Sequence, residues 1–140
     1  MKTFAPILSF ALAVAASTVQ AAGTPPPRTP LLSADCIKTS QINDWRIVSA
    51  RTAIVRTGPK RYLVTLQNDC PQLSHPPGLI FRSSQSGINE GRICGSIGET
   101  VRSRHQPACA IESVSLIDKA RFEQLTEDAK HYRSSNTPAH

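Results

Sequence analysis

Cysteines are the residues best able to do chemistry in this 140-residue chain, which has four: Cys36, Cys70, Cys94 and Cys109. By subtraction of their numbers, successive cysteines are 34, 24 and 15 positions apart, so the chain has no Cys-x-x-Cys pair. Structural zinc sites and thioredoxin-like redox sites are built on such closely spaced pairs. The spacing therefore predicts two structural disulfides, no metal and no cofactor. It leaves all three pairings open.

Acid–base catalysis has few candidate residues. A small hydrolase of this sequence would use Glu112 together with His75 or His105. Such chemistry needs its two titratable groups held on either side of a bound substrate, and no motif in the chain brings these residues together. A G-x-S-x-G nucleophile motif is also absent from the sequence. We therefore predict a non-catalytic protein, with a small envelope hydrolase as the alternative.

Aromatic and arginine side chains suggest a binding surface instead. Both residue types are enriched among the side chains that contribute most to protein interfaces. A single Trp in a strand is more often a core residue, so Trp45 suits either role. The candidate binding residues are Trp45, Arg46, Arg56, Lys60 and Arg61.

The first 22 residues have the pattern of a cleavable export signal. A short basic start is followed by an apolar run from Ile7 to Val19 and then by the small residues Ala21 and Ala22. This apolar run is shorter than a membrane span, which needs about 20 apolar residues. We predict a signal peptide over residues 1–22 and an exported protein, periplasmic or extracellular, with no transmembrane segment after cleavage.

The charge of the mature chain is modestly basic. Cleavage removes only Lys2 from the 16 basic residues and none of the 10 acidic ones, which leaves a net charge of 15 − 10 = +5. The basic residues are spread along the chain, and aromatic residues make up only 5% of it. Nucleic-acid binding favours basic stripes interleaved with aromatics. We therefore predict that the protein has no specific nucleic-acid partner. Its predicted partner is an envelope protein or an anionic envelope polymer.

Turn residues and β-branched runs predict an all-β domain between polar ends. The strongest signal is a hairpin, in which Thr52–Arg56 and Arg61–Leu66 flank a Gly-Pro turn. Asp118 is placed to cap a helix that follows the strands. The fold class is a small antiparallel β-barrel or sandwich with a short C-terminal helix. Further predicted strands are Trp45–Val48, Leu79–Arg82, Arg92–Cys94, Thr100–Arg102 and Ala110–Leu116.

The predicted organisation has five parts. A Pro-rich linker follows the signal peptide over residues 23–33, and the disulfide-stapled β domain covers residues 34–118. The short helix covers residues 119–132, and residues 133–140 form a disordered tail. A domain of this size buries a thin core, so covalent crosslinks are the expected supplement to its stability.

Several short motifs together resemble a known family. Taken in order, they are Cys36-Ile37, residues 42–46 (INDWR), 51–56 (RTAIVR), 61–66 (RYLVTL), 69–73 (DCPQL), 91–95 (GRICG) and 109–114 (CAIESV). The chain resembles domain-of-unknown-function family 6491, a group of small exported bacterial proteins. The resemblance covers about residues 36–117. It implies a bacterial periplasmic or secreted protein and brings no catalytic residue with it.

The resemblance also bears on the pairing of the cysteines. Proteins similar to this family carry the equivalents of Cys70 and Cys109 alone, which implies that these two are bonded to each other. Cys36 would then pair with Cys94. The main rival joins Cys70 to Cys94 and Cys36 to Cys109. In the chain-entropy model, each bridge of the preferred pairing contributes about 4 kcal/mol.

Overall fold

The computed structural model describes residues 28–74, 78–87 and 90–136. The predicted signal peptide, residues 23–27 of the predicted linker, His75 and residues 137–140 of the predicted tail lie outside these ranges. The described strands and helix are β1 (Ile37–Lys38), β2 (Asp44–Ser49), β3 (Thr52–Thr57), β4 (Lys60–Leu66), β5 (Leu79–Arg82), β6 (Arg92–Ile93), β7 (Thr100–Ser103), β8 (Cys109–Leu116) and α1 (Lys119–Asn136). Short 3-10 helices cover Ser33–Asp35, Thr39–Gln41 and Pro71–Ser74.

The hairpin formed by β3 and β4 confirms the strongest local prediction. Thr57 pairs with Lys60, so Gly58 and Pro59 form a two-residue loop. Gly58 has a φ of +59°. A positive φ at the first loop residue is what a type II′ turn requires, and this turn matches the natural twist of a hairpin. The predicted strands before and after this hairpin are also present.

The strands form a curled antiparallel sheet. Within the described residues, six strands pair in the order β2-β3-β4-β8-β7-β5, and the sheet bends into a half-barrel. The strands β1 and β6 pair separately, with Ile37 opposite Ile93. The predicted all-β fold with a C-terminal helix is therefore confirmed, with the barrel open rather than closed. The short strand β1 was not predicted.

The main core fills the concave side of the half-barrel. Inward-pointing residues alternate along most strands, as the two-residue period of a strand requires, and a register shift in β8 places both Ile111 and Val114 in the core. The largest is Tyr62, which is fully buried and whose hydroxyl donates a hydrogen bond to the Cys36 carbonyl at 3.3 Å. The other buried members of this core are Ile37, Ala53, Val55, Val64, Leu66, Cys70, Leu73, Ile93, Val101, Ile111 and Val114.

A second, smaller core lies between the convex side of the sheet and α1. Phe122 and Leu125 of the helix pack against Ile54 of β3. The helix begins as predicted, because the Asp118 carboxylate accepts a hydrogen bond from the Arg121 backbone N–H at 2.7 Å. Such an N-cap satisfies one of the free amide donors in the first turn.

The helix ends later than predicted. It continues to Asn136, whereas its expected end was residue 132. Its last turn is supported by side chains, since the Asn136 amide and the Ser135 hydroxyl donate to the Tyr132 carbonyl at 2.8 and 2.9 Å. Both bonds tie the last turn of the helix to the turn before it.

The end of the predicted linker belongs to the folded domain. Leu31 packs against the main core, and its backbone N–H donates to the Cys94 carbonyl at 2.8 Å. The two adjacent leucines after the prolines explain the difference, because burying one apolar side chain favours attachment to the domain.

The two disulfides are Cys36–Cys94 and Cys70–Cys109. The pairing implied by the family resemblance is therefore confirmed, and the rival pairing is wrong. The first bridge joins the residues beside β1 and β6, and the second joins the segment after β4 to the start of β8. Two structural disulfides indicate an oxidising compartment outside the cytoplasm.

Candidate functional site

The five predicted binding residues do not form one surface. Trp45 is partly buried and packs against the main core. The Lys60 ammonium donates to the Ala34 carbonyl at 2.7 Å and to the Asp35 carboxylate at 3.0 Å. These two residues therefore help to hold the fold. The three arginines of the set remain candidates.

Arg56 and Arg61 lie side by side on the outer face of the sheet. They are directly paired across β3 and β4, and Asp44 of β2 is paired with Arg56 on its other side. The first turns of α1 run beside this row. The helix and the sheet together line an open groove of about 260 Å³. We call it the arginine groove. Its lining residues are Asp44, Arg56, Arg61, Lys119, Phe122, Glu123, Thr126 and Glu127.

Each acidic residue of the arginine groove has its own cationic partner. Asp44 pairs with Arg46 at 3.5 Å, and Glu123 pairs with Lys119 at 3.8 Å along the helix. Glu127 pairs with Lys130 at 2.7 Å. The Lys130 hydrogen bond and its charge lower the pKa of Glu127 below its ordinary value. Among the cations that line the groove, Arg56 and Arg61 are the two that form no ion pair with a described residue.

Arg56 has an unused hydrogen-bond donor. Its Nε atom is shielded from solvent and finds no acceptor among the described residues. The neighbouring Arg61 donates from Nη1 to the Pro59 carbonyl at 3.2 Å, which leaves other donors of its guanidinium available. A buried donor without a partner and two like charges in direct cross-strand contact both cost stability.

An oxyanion bound between the two guanidinium groups would remove both costs. Guanidinium presents a planar fork of N–H donors that matches a carboxylate or phosphate group, and such charge-assisted bonds are the stronger ones in proteins. The groove is lined by the guanidinium groups of Arg56 and Arg61 and by Phe122. It can therefore accommodate a ligand with an anionic group and an adjoining apolar part.

Glu99 is a buried charged residue that belongs to no motif in the sequence. Its side chain is fully buried, and its carboxylate accepts backbone N–H bonds from Cys94 at 2.9 Å, Gly95 at 2.7 Å and Ser96 at 3.1 Å. The glycines of residues 95–98 indicated a loop, but nothing in the sequence indicated its burial. With its oxygens so occupied, Glu99 fixes the loop beside the Cys36–Cys94 bridge.

Of the residues of the hydrolase alternative, the structure describes Glu112 in β8 and His105 in the turn before it. Glu112 pairs with Arg51 at 3.7 Å, and its side chain is 45% exposed. His105 lies in the turn between β7 and β8 with a positive φ of 63°. His75 lies outside the described residues.

Metal ligands do not gather in the part of the chain that the structure describes. No group of three or more His, Cys, Asp or Glu side chains there could hold a metal ion. Likewise, no helix among the described residues has the length and apolar character to cross a bilayer.

The comparisons with known proteins give one relationship. No curated protein and no solved structure is significantly similar to the chain. The profile described as a family of unknown function, DUF6491, matches residues 1–133. This match covers nearly the whole chain, including every strand described above, so the protein is a member of the DUF6491 family.

Proposed function

We propose that this protein is a non-catalytic binding module of the bacterial cell envelope, exported to the periplasm or beyond. It holds an anionic group of its ligand, a carboxylate or a phosphate, between Arg56 and Arg61. The observation that carries the proposal is the shielded Arg56 Nε atom, which has no acceptor among the described residues.

The setting of the two arginines supports binding over a purely structural role. Other cations near this part of the fold have protein partners, as Lys60 has in Asp35 and Arg46 has in Asp44. Arg56 and Arg61 instead face each other across the hairpin, at a cost to stability that a bound anion would offset. An exported protein meets anionic polymers and proteins in the envelope, and a net positive charge favours encounter with them.

An anion titration followed by NMR tests this function. The disulfide-intact protein is titrated with inorganic phosphate in one arm and with acetate in the other, at constant ionic strength. We expect saturable shifts of the Arg56 and Arg61 side-chain Nε–H signals, because these donors gain an acceptor. The arm that saturates at the lower concentration identifies the phosphate or the carboxylate as the preferred group.

Matched double variants serve as controls. Backbone amide signals of β3 and β4 report binding in the variants, and R56Q/R61Q should lose their saturable shifts while staying folded, because it also removes a like-charge contact. The R82Q/R102Q variant removes the same number of charges from another part of the sheet and should bind as the original protein does. Shifts that grow linearly in both arms, or that vanish in both variants, would show general charge screening and refute the proposal.

The non-catalytic part of the proposal has its own test. Purified protein is incubated with a panel of ester, peptide, glycoside and phosphate substrates, alongside the Glu112→Gln variant. We expect no turnover above background by either protein. Turnover that the original protein shows and the variant lacks would establish the hydrolase alternative.

A further inference from the structure

A second groove lies at the far end of the sheet, away from α1. It has a volume of about 440 Å³ and lies on the outer face of β5 and β7, where β5 is the last strand. We call it the edge groove. Its lining residues are Ile80, Arg82, Thr100, Arg102, Gln106, Pro107 and Ala108.

The edge groove is cationic and lacks its own counter-charge. Arg82 and Arg102 both line it, and no acidic residue does. Within the described residues, neither arginine takes part in an ion pair or a hydrogen bond. The nearest acid along β8, Glu112, is paired with Arg51. Two charges are therefore available to a partner, at a site separate from the arginine groove.

Apolar side chains lie among these charges. Ile80 is directly opposite Arg102 on the paired strands, and 38% of it is exposed. Pro107 and Ala108 are exposed on the adjoining turn. This mixture of arginine and exposed apolar groups is typical of protein interfaces and is less suited to a uniformly charged polymer.

The positions of the two arginines fit an extended peptide. Arg82 pairs with Thr100 and Ile80 pairs with Arg102, so the arginines are diagonal neighbours across β5 and β7. Such diagonal neighbours lie about 7–8 Å apart. In an extended chain, side chains two residues apart point the same way and are separated by about 6.6 Å, twice the rise per residue.

We propose that the edge groove binds an extended, acidic segment of a partner protein in which two carboxylate residues flank one other residue. Arg82 and Arg102 each bind one carboxylate, and an apolar side chain two residues before or after this pair, which points the same way, packs on Ile80. This interaction surface is distinct from the arginine groove and does not depend on the anion site there.

The test uses labelled synthetic peptides and the full, disulfide-intact protein at physiological salt. One peptide contains a Glu-Val-Glu core between neutral residues, and a control of the same composition has the core Glu-Glu-Val. Fluorescence anisotropy should show that the alternating peptide binds about tenfold more tightly, because only its carboxylates reach both arginines.

Charge-matched variants locate the site. Arg82→Gln and Arg102→Gln should each weaken binding of the alternating peptide about tenfold, as loss of one charge-assisted contact would. The R56Q/R61Q variant should keep the preference for the alternating peptide over the control, which separates the edge groove from the proposed function. Equal binding of the two peptides, tighter binding of polyphosphate at the same arginines, or loss of this preference in R56Q/R61Q would overturn the proposal.

Discussion

Glu99 and Arg56 are both shielded charged side chains, but they differ in how their hydrogen-bonding groups are used. The Glu99 carboxylate accepts three backbone N–H bonds, whereas the Arg56 Nε atom has no acceptor among the described residues. A buried charge is tolerated where its hydrogen bonds are satisfied, and an unsatisfied donor costs stability. The contrast assigns Glu99 to the fold and leaves Arg56 for a ligand.

Replacing the Glu99 carboxylate with an amide should destabilise the protein. In Glu99→Gln, the amide nitrogen would face backbone donors that have lost their acceptor, and each such buried group costs about 1–3 kcal/mol. Urea unfolding should show a loss of that size. The control is Glu112→Gln, which removes only the half-exposed ion pair with Arg51 and should cost less than about 1 kcal/mol. Equal losses in the two variants would contradict the structural role of Glu99.

At the scale of elements, α1 both completes the second core and forms one wall of the arginine groove. Phe122 takes part in both, since it packs with Leu125 on Ile54 and also lines the groove. The sequence pattern predicted the helix and its N-cap, because a helix is specified by neighbours along the chain. It did not predict that Arg56 would lie opposite Arg61 beside that helix, because strand register depends on the exact turn and on side chains far apart in sequence.

Removing the Phe122 ring should loosen the helix from the sheet. Phe122→Ala leaves a cavity in the small second core, and such truncations cost about 3–5 kcal/mol. Gln124→Ala, on the exposed side of the same helix, should leave the free energy of unfolding nearly unchanged. Urea unfolding measures both. A small loss in Phe122→Ala would mean that α1 contributes little to the stability of the domain.

The Glu127–Lys130 pair makes the stability of the helix depend on pH. Lys130 lowers the pKa of Glu127 in the folded protein. The ionised Glu127 carboxylate therefore stabilises the folded protein above the ordinary pKa of 4.5, and this stabilisation is lost as the pH falls through the lowered value. Lys130→Gln should return the pKa toward 4.5 in an NMR titration of the side-chain carboxyl. Lys38→Gln removes an equal charge from β1 and should leave the lowered pKa in place; a rise in both variants would indicate a general charge effect.

At the scale of the whole molecule, the disulfides join segments that lie far apart in the sequence. Cys36–Cys94 closes a separation of 58 residues and attaches the small β1–β6 sheet, and Cys70–Cys109 closes a separation of 39 residues at the start of β8. The composition and cysteine count predicted such crosslinks. The pairing of β1 with β6 could not be read from the chain, because each strand has only two residues and too little pattern to identify its partner.

Removing either bridge should cost about 4 kcal/mol, because the logarithmic dependence of loop entropy on length makes separations of 58 and 39 residues nearly equivalent. The C36S/C94S and C70S/C109S variants should show similar losses in urea unfolding.

Amide hydrogen exchange should then distinguish the two variants. C36S/C94S should speed exchange in β1 and β6, whereas C70S/C109S should speed it in the Pro71–Ser74 segment and at the start of β8. In both variants the amides of β3 beneath α1 should stay protected, since the second core contains no cysteine. Equal acceleration across β3 in C36S/C94S would instead show that the small sheet and the helix-covered half of the barrel open as one cooperative unit.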